Sequence, residues 1–338
     1  MTVGMGTAFG VSAIGGSAAA ANDDPRGRET VIRLTPKDSI QAALDDGVQS
    51  VQLSPGDWKI SKPIIARPGA SLTGSGQSSR LLASVADLPS VLAIGDGKQC
   101  DGFVVSNLVV NANRLAITGI DLNPVGRGSY YEDEPDPMHR LVNLWVYDAI
   151  QDNIWYRGDA RATVTQLVRS RRAGRHAFHC TNSDSWWMAC EGTTTKPGID
   201  SAGFFVGTTN SFFVACKAWY CRDYGYYVRG TRNKFSVCES QDTRSHGWYI
   251  EYDKNVFNGC VADTAGFHDV GGTPKTADGF YVVGDNESQA LIGCQSFDRL
   301  GSPHQRYGFN VPASMVDEGR LVAPTGFGNL AGLVHRRS

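Results

Sequence analysis

The sequence predicts an all-β solenoid. Three observations carry this: a repeat in the second half of the chain, a column of cysteines in phase with it, and alternation of apolar side chains within each unit. From Gly203 the chain reads GFFVGTTNSFFVACKAWYCRDY, then GYYVRGTRNKFSVCESQDTRSH, then GWYIEYDKNVFNGCVADTAG, then GFYVVGDNESQALIGCQSF. Cys216, Cys238 and Cys260 each fall 13 residues after the glycine that opens their unit, and Cys294 falls 15 after Gly279. A period near 22 residues, with short β-type runs and turns between them, is that of stacked β coils. Each coil contacts only its neighbours, so 338 residues need no second domain.

Composition agrees with a folded chain: 41% hydrophobic, 20% charged, 39 glycines. A net charge of -2 leaves no electrostatic footprint for nucleic acid. No apolar run is long enough to span a membrane. Cys190, Cys216, Cys238, Cys260 and Cys294 share one column of the repeat. Stacked coils place column neighbours about 4.8 Å apart. An interior ladder of small buried thiols is expected, with disulfides or a metal as the alternatives; no C-x-x-C pair supports zinc.

Residues 1–22 are small and apolar with an Ala-rich run, a signal-like or flexible segment, and 23–37 read as linker and entry. SIQAALDDG (39–47) predicts a short helix, capped by Asp38 or Ser39 and ended by Gly47. Residues 38–47 would then cover the first coil, whose bare edge strands would otherwise invite pairing.

From Gly47 the chain continues GVQSVQLSPGDWKISKPIIARPGASLTGSGQSSRLL. That pattern resembles the start of parallel β-helix proteins of the pectate-lyase-like superfamily, a group of polysaccharide lyases, glycoside hydrolases, sugar epimerases and phage tailspikes. With the N-x-F-x-x-C-x-A coils downstream (Asn210 is displaced by one), the resemblance covers roughly residues 38 to 310. It implies a single-stranded right-handed parallel β-helix, placed at 48–311 with the last coil and a C-terminal cap in 312–338, and the repeat frame counts about eleven coils between 48 and 338.

Strand alternation sends Phe204 and Val206, Tyr226 and Val228, Trp248 and Ile250, and Phe280 and Val282 inward. The residue between each pair then faces out. Up the stack that column reads Asp121, Trp155, His179, Phe205, Tyr227, Tyr249, Tyr281, Asn310. Flat rings with polar tips suit the apolar faces of sugars. Trp155, His179, Phe205, Tyr224, Tyr227, Tyr249 and Tyr281 are therefore the candidate substrate-binding residues. The competing reading has the same column packing beneath a loop or against another subunit of a trimer. Longer turns at 191–201, 264–278 and 298–307, and an insertion at 124–139, would wall one rim.

Carbohydrate chemistry needs two carboxylates across a scissile bond, or a base and a charge neutraliser beside a uronate. The densest outward set lies between 223 and 253, and Glu251, His246, Arg229 and Asp253 are the catalytic candidates. Glu251 and Asp253 are two apart, which suits paired acids or a calcium ion, the one cofactor in view. Arg229 would bind a uronate or act on Glu251, and His246, with an ordinary pKa near neutrality, would carry protons. The Asp136-Pro137-Met138-His139 string only weakly matches the D-P-H-E motif of alginate-epimerase-like enzymes. The acidic stretch Glu132, Asp133, Glu134, Asp136 lacks EF-hand spacing.

The leading functional expectation is a secreted, extracellular protein that binds and cleaves a polysaccharide, as lyase or glycoside hydrolase. The alternatives are a non-catalytic trimeric adhesin or tailspike on a virion surface, and a plain structural solenoid. Monomer and homotrimer both remain open.

Overall fold

The computed structural model describes residues 31–125, 138–196, 200–267, 276–284, 288–300 and 303–338. The expected signal-like segment 1–22 and the acidic stretch Glu132–Asp136 lie outside them. The described chain winds into coils whose strands pair in parallel with those of the next coil. One side of the stack is an eleven-stranded sheet running from Ile64–Ile65 to Gly332–Arg337, and the rest of the wall is a single twenty-stranded sheet.

One coil shows the plan. Tyr224–Val228 lies in the eleven-stranded sheet; Lys234–Ser236 and Glu239–Thr243 follow in the twenty-stranded one, and Trp248–Ile250 returns one level up. Between the two short strands the chain bends at one residue with positive φ. Leu167, Ala189, Ala215, Val237, Gly259 and Gly293 fill that place, with φ of 55°, 51°, 53°, 47°, 60° and 59°. The left-handed conformation is costly for residues with a Cβ. Each coil recovers a bond there: Ala189 N donates to Val214 O at 2.9 Å, and Val237 N to Asn258 O at 2.9 Å. The residue after the bend, which the bend turns inward, is Val168 in the first of these coils and the column cysteine in the other five.

Aromatic ladders fill the core. Phe178, Phe204, Tyr226, Trp248, Phe280 and Phe309 stack from coil to coil, with centroids 4.5, 4.9, 3.8, 5.6 and 4.9 Å apart. Trp187, Phe213, Phe235 and Phe257 form a second stack at 4.6, 4.8 and 4.7 Å. All ten rings are fully buried. An asparagine ladder closes the turn ahead of the second stack: Asn255 Oδ1 accepts from Asn233 N at 2.9 Å, and Asn233 Oδ1 from Ser211 N at 3.0 Å. Ser211 therefore takes the place that the sequence pattern left ambiguous beside Asn210.

The helix expected at 39–47 is α1 (Ile40–Asp45), with the Ser39 side chain capping Ala42 N at 3.1 Å and Gly47 following at φ +82°. It buries Ile40, Ala43 and Leu44 against the first coils. Ahead of it, Val31–Leu34 pairs in parallel with Ser50–Leu53, so the wall begins before the helix. At the far end, α2 (Ala313–Asp317) buries Met315, and Gly332–Arg337 lies on Tyr307–Pro312.

All eight cysteines are free and buried. Cys216 and Cys238 direct their thiols to Trp187 O (3.4 Å) and Phe213 O (3.3 Å) of the coil below. Burial pushes the neighbouring Cys221 thiol up to about 12. Cys238→Ala should therefore destabilise the protein by roughly 1–2 kcal/mol through a small cavity, read as a shift in the urea midpoint. Thiol titration of the native protein should find no ladder cysteine reactive; prompt labelling of Cys216, Cys238 or Cys260 would reject the interior ladder.

Candidate functional site

The outward column stands in the eleven-stranded sheet in the register the sequence implies. Asp121 pairs with Trp155, Trp155 with His179, His179 with Phe205, Phe205 with Tyr227, Tyr227 with Tyr249, Tyr249 with Tyr281, and Tyr281 with Asn310. The rings touch without a break: Trp155–His179 at 5.1 Å, His179–Phe205 at 4.8 Å, Phe205–Tyr227 at 5.3 Å, Tyr227–Tyr249 at 5.3 Å and Tyr249–Tyr281 at 5.4 Å. This close packing leaves the outward row only partly exposed. Tyr227 and His179 keep only 4% and 9% of their surface, while Trp155, Phe205, Tyr249 and Tyr281 are half-buried.

A second row flanks the first. Tyr224 and His246, each just before the glycine of its coil, lean onto it, with Tyr224 at 4.9 Å from Tyr249 and His246 at 4.7 Å from Tyr281. The Tyr227 hydroxyl donates to Glu251 Oε1 at 2.7 Å, and Arg229 Nε lies 2.8 Å from Glu251 Oε2. Glu251, Arg229 and Tyr227 thus form one unit, of which the sequence placed Arg229 beside Glu251. Asp253 does not join it as expected. The strand ends at Ile250, and Tyr252–Lys254 form a bend where Asp253 meets Lys254 at 4.0 Å. With its oxygens on Tyr227 and Arg229, Glu251 is also a poor half of a calcium site.

The role expected of His246 is overturned by its surroundings. Burial pushes its pKa down to about 4, and its Nδ1 accepts from Asp278 N at 2.9 Å. The ring is therefore neutral at pH 7 with its proton on Nε2, a fixed donor rather than a proton carrier. The group poised near neutrality is Asp223. Burial, reinforced by the charge of Asp200, pushes its carboxyl up to about 7. Asp200 and Glu251 also act on Tyr224, Tyr227 and Tyr249, whose phenols burial and these charges hold above the ordinary range.

Two clamps, unforeseen in the sequence, brace the face. Asp152 accepts from Arg175 Nε (2.9 Å) and Arg175 Nη2, from His176 N (3.1 Å), and lies 2.8 Å from His179 Nδ1. Asp278 repeats the device higher up, with Arg306 Nε (2.9 Å), Tyr307 N (3.1 Å) and Asn310 Nδ2 (2.8 Å). The signal was present: an Asp just before the coil-opening position, then an Arg two places before that position in the next coil. Both Asp side chains are almost wholly buried, so an unpaired charge there would be costly.

Asp152, His176 and His179 also bring three ligand-type atoms within 4.8 Å of one another. The cluster suits hydrogen bonding better than a metal. Arg175 already occupies the carboxylate, and Ala202 N donates to His176 Nδ1 at 3.2 Å, which leaves the His176 proton on Nε2. Burial holds the His176 pKa down at about 3.

No protein-family model matches the chain, and no curated protein matches it. Among solved structures it is similar to the A-module of mannuronan C-5 epimerase AlgE6 of Azotobacter vinelandii, at 15% identity and a TM-score of 0.61, over 88% of this chain and 90% of that one. It is similar to tailspike protein 2 of Escherichia coli O157:H7 bacteriophage CAB120 at 15% identity and a TM-score of 0.58, over 79% of this chain but 38% of the tailspike. It is also similar to an alginate lyase of Paenibacillus sp. str. FPU-7, at 11% identity and a TM-score of 0.50, over 91% of this chain and 98% of that one. The shared feature is the fold. The chain is a right-handed parallel β-helix.

The buried histidines set a pH dependence. His246 and His176 have folded pKa values below the ordinary 6.5, so the stability they confer is present above pH 6.5 and is lost as pH falls towards 4 and 3. Asp223, raised to about 7, acts in the opposite sense, favouring the folded state as pH falls from 7 to 4. His246→Gln should remove the His246 contribution, on the order of 3 kcal/mol between pH 7 and pH 4. Urea midpoints with the same pH slope in the variant and the parent would refute the buried neutral imidazole.

Proposed function

We propose that the protein binds an extracellular polysaccharide along the aromatic face and hydrolyses a glycosidic bond there. The observation that supports this is the unbroken ring row from Trp155 to Tyr281 with Asp223, Glu251 and Arg229 beside it. A row repeating at about 4.8 Å along the axis offers successive ring edges and hydroxyls to an extended chain. Among the similar structures are a mannuronan epimerase, a tailspike and an alginate lyase, so an extended sugar chain is consistent with the fold. The protein would work outside the cell or on a virion. No helix among the described residues is long and apolar enough to cross a membrane.

In this reading Asp223 is the general acid. Its carboxyl stays protonated until pH approaches 7, so it holds the proton that a leaving glycosidic oxygen needs. His246, neutral at that pH, would donate through Nε2 to a sugar oxygen. Glu251, held by Arg229 and Tyr227, would fix the buried Tyr227 ring against Tyr249, which would contact the substrate.

A second reading, an assembled non-catalytic polysaccharide binder, draws on the opposite wall. Phe212, Val214, Val256, Ile292 and Val322 stand there 36–43% exposed, and Trp186 stacks on Phe212 at 6.2 Å. These side chains stand in two columns interrupted by Lys234, Ser236 and Asn258, a mixed surface that a second and third copy would cover.

A panel of acidic and neutral polysaccharides, read by reducing ends and by absorbance near 235 nm, tests the reaction. Reducing ends without unsaturated product are expected, and absorbance alone would replace hydrolysis with elimination. Asp223→Asn should lower turnover by about two orders of magnitude or more. Parent activity should fall as pH rises through about 7, because the acid form is required. Tyr249→Ala with Tyr281→Ala should weaken binding about tenfold, the equivalent of 1.4 kcal/mol. Unchanged affinity in that double variant, together with a trimer in sedimentation, would favour the second reading.

A further inference from the structure

We infer that a second wall of the helix, around Arg114, Arg169, Arg171 and Arg172, anchors an acidic polysaccharide away from the aromatic face; the inference rests on the polysaccharide reading above but not on its hydrolytic step. The wall is the half of the twenty-stranded sheet that follows the bend. There the end of Arg140–Tyr147 lies beside Arg169–Ala173, with Trp145 paired to Arg169 and Tyr147 to Arg171. Leu144, Val146 and Ser170 face the core, so the rings and guanidiniums between them face out. A positive φ at Arg172 (58°) lets Arg171 and Arg172 both point outward before Ala173 turns in.

Among the described residues, four guanidiniums share two carboxylates here. One carboxylate accepts one forked guanidinium well. Arg172 takes Asp148 with both arms, at 2.9 and 2.5 Å, and leaves Arg114 at 3.9 Å from the same group. Arg171 holds Glu191 at 2.8 Å and leaves Arg169 at 3.6 Å. Arg114 and Arg169 are thus the surplus pair, with side chains 62% and 47% exposed. Arg171 Nε is buried with no acceptor. The rings are set among these charges: Arg171 lies 5.3 Å over Trp219, and Arg172 lies 5.4 Å over Tyr147. Burial holds the Tyr147 phenol above its ordinary range; the charges of Arg171, Arg172 and Arg169 oppose this, and that of Asp148 adds to it.

A groove of about 460 Å³ opens beside Arg169 and runs along the bend residues Asn143, Leu167, Ala189, Ala215 and Val237. Successive coils at about 4.8 Å give it roughly 19 Å of length, room for several sugars of an extended chain. Higher up its wall, Lys217 and Glu239 neutralise each other at 3.0 Å, so the surplus charge stays at the lower end. Arg114 N donates to Asp148 O at 2.8 Å, one coil below Arg169, so Arg114 and Arg169 stand two coils apart and would meet different sugars. An acidic polysaccharide fits both halves of this surface: carboxylates at intervals for the guanidiniums, and apolar sugar faces for Trp145 and Trp219. Nucleic acid fits it less well, because it calls for a broad positive field and the whole chain carries a net charge of -2.

Isothermal titration at low salt with polygalacturonate, alginate and uncharged dextran tests the anchor. The wild type should bind at least one acidic polymer more tightly than dextran and lose that margin as salt is added. Arg114→Gln with Arg169→Gln leaves the Asp148–Arg172 and Glu191–Arg171 pairs intact and should weaken acidic-polymer binding about tenfold, with dextran unchanged. Glu191→Gln removes a competing carboxylate and should tighten that binding about threefold. Unchanged affinity of the arginine variant for the acidic polymers overturns the anchor whatever Glu191→Gln does, and so does tighter binding of single-stranded DNA than of either acidic polymer. If the arginine variant loses affinity while Tyr249→Ala with Tyr281→Ala keeps it, the anchor stands and the aromatic-face reading falls. The reverse result overturns the anchor and leaves that reading standing. A wild type that binds none of the polysaccharides overturns both.

Discussion

Every feature of this protein depends on one constraint: each coil must hydrogen-bond to the next in parallel, in register, along the whole length of the wall. Satisfying the backbone in this way fixes the axial spacing, and with it the separation of any two side chains in a column. Inward, identical spacing turns single aromatic residues into continuous stacks, such as Phe178 to Phe309. Outward, the same spacing builds the row from Trp155 to Tyr281. The core and the candidate site are two sides of the same strands, so a shift of one residue would exchange them.

That constraint also makes the face rigid, and the two aspartate clamps add to it. Asp152 and Asp278 each tie an arginine, a backbone N–H and a side chain of the next coil to one buried carboxylate. The clamps bracket the tyrosine-rich middle, where Asp223 and Glu251 stand. Between the clamps the carboxylates are not neutralised alike: Glu251 has Arg229 at 2.8 Å, whereas Asp223 meets burial and the like charge of Asp200.

The tautomers follow from the same architecture. Residues at or just before the strands offer backbone N–H groups to the imidazoles of the coil below, as Ala202 does to His176 and Asp278 to His246. His179 lies further along its strand, where the neighbour is the Asp152 side chain instead. His176 and His246 thus keep their protons on Nε2 by position alone.

The sequence by itself determined the solenoid, the inward and outward columns, the ladder of thiols and the helix before the first coils. These follow from periodicity, and periodicity is a property of the chain: strand alternation and the 22-residue spacing decide which way each residue faces. It also placed Glu251 beside Arg229, because adjacent coils in register make such pairs neighbours; the Tyr227 bond to Glu251 came from the structure. Only the tertiary structure decided the protonation of His246 and Asp223. Burial of His246 and its Asp278 N–H turned an expected proton carrier into a neutral donor, and burial with Asp200 raised Asp223 instead. The turn at Tyr252–Lys254 separated Asp253 from Glu251, and the close ring packing covered Tyr227 and His179. Desolvation and hydrogen bonding depend on what surrounds an atom in three dimensions, and a repeat read along one dimension carries the columns but not their surroundings.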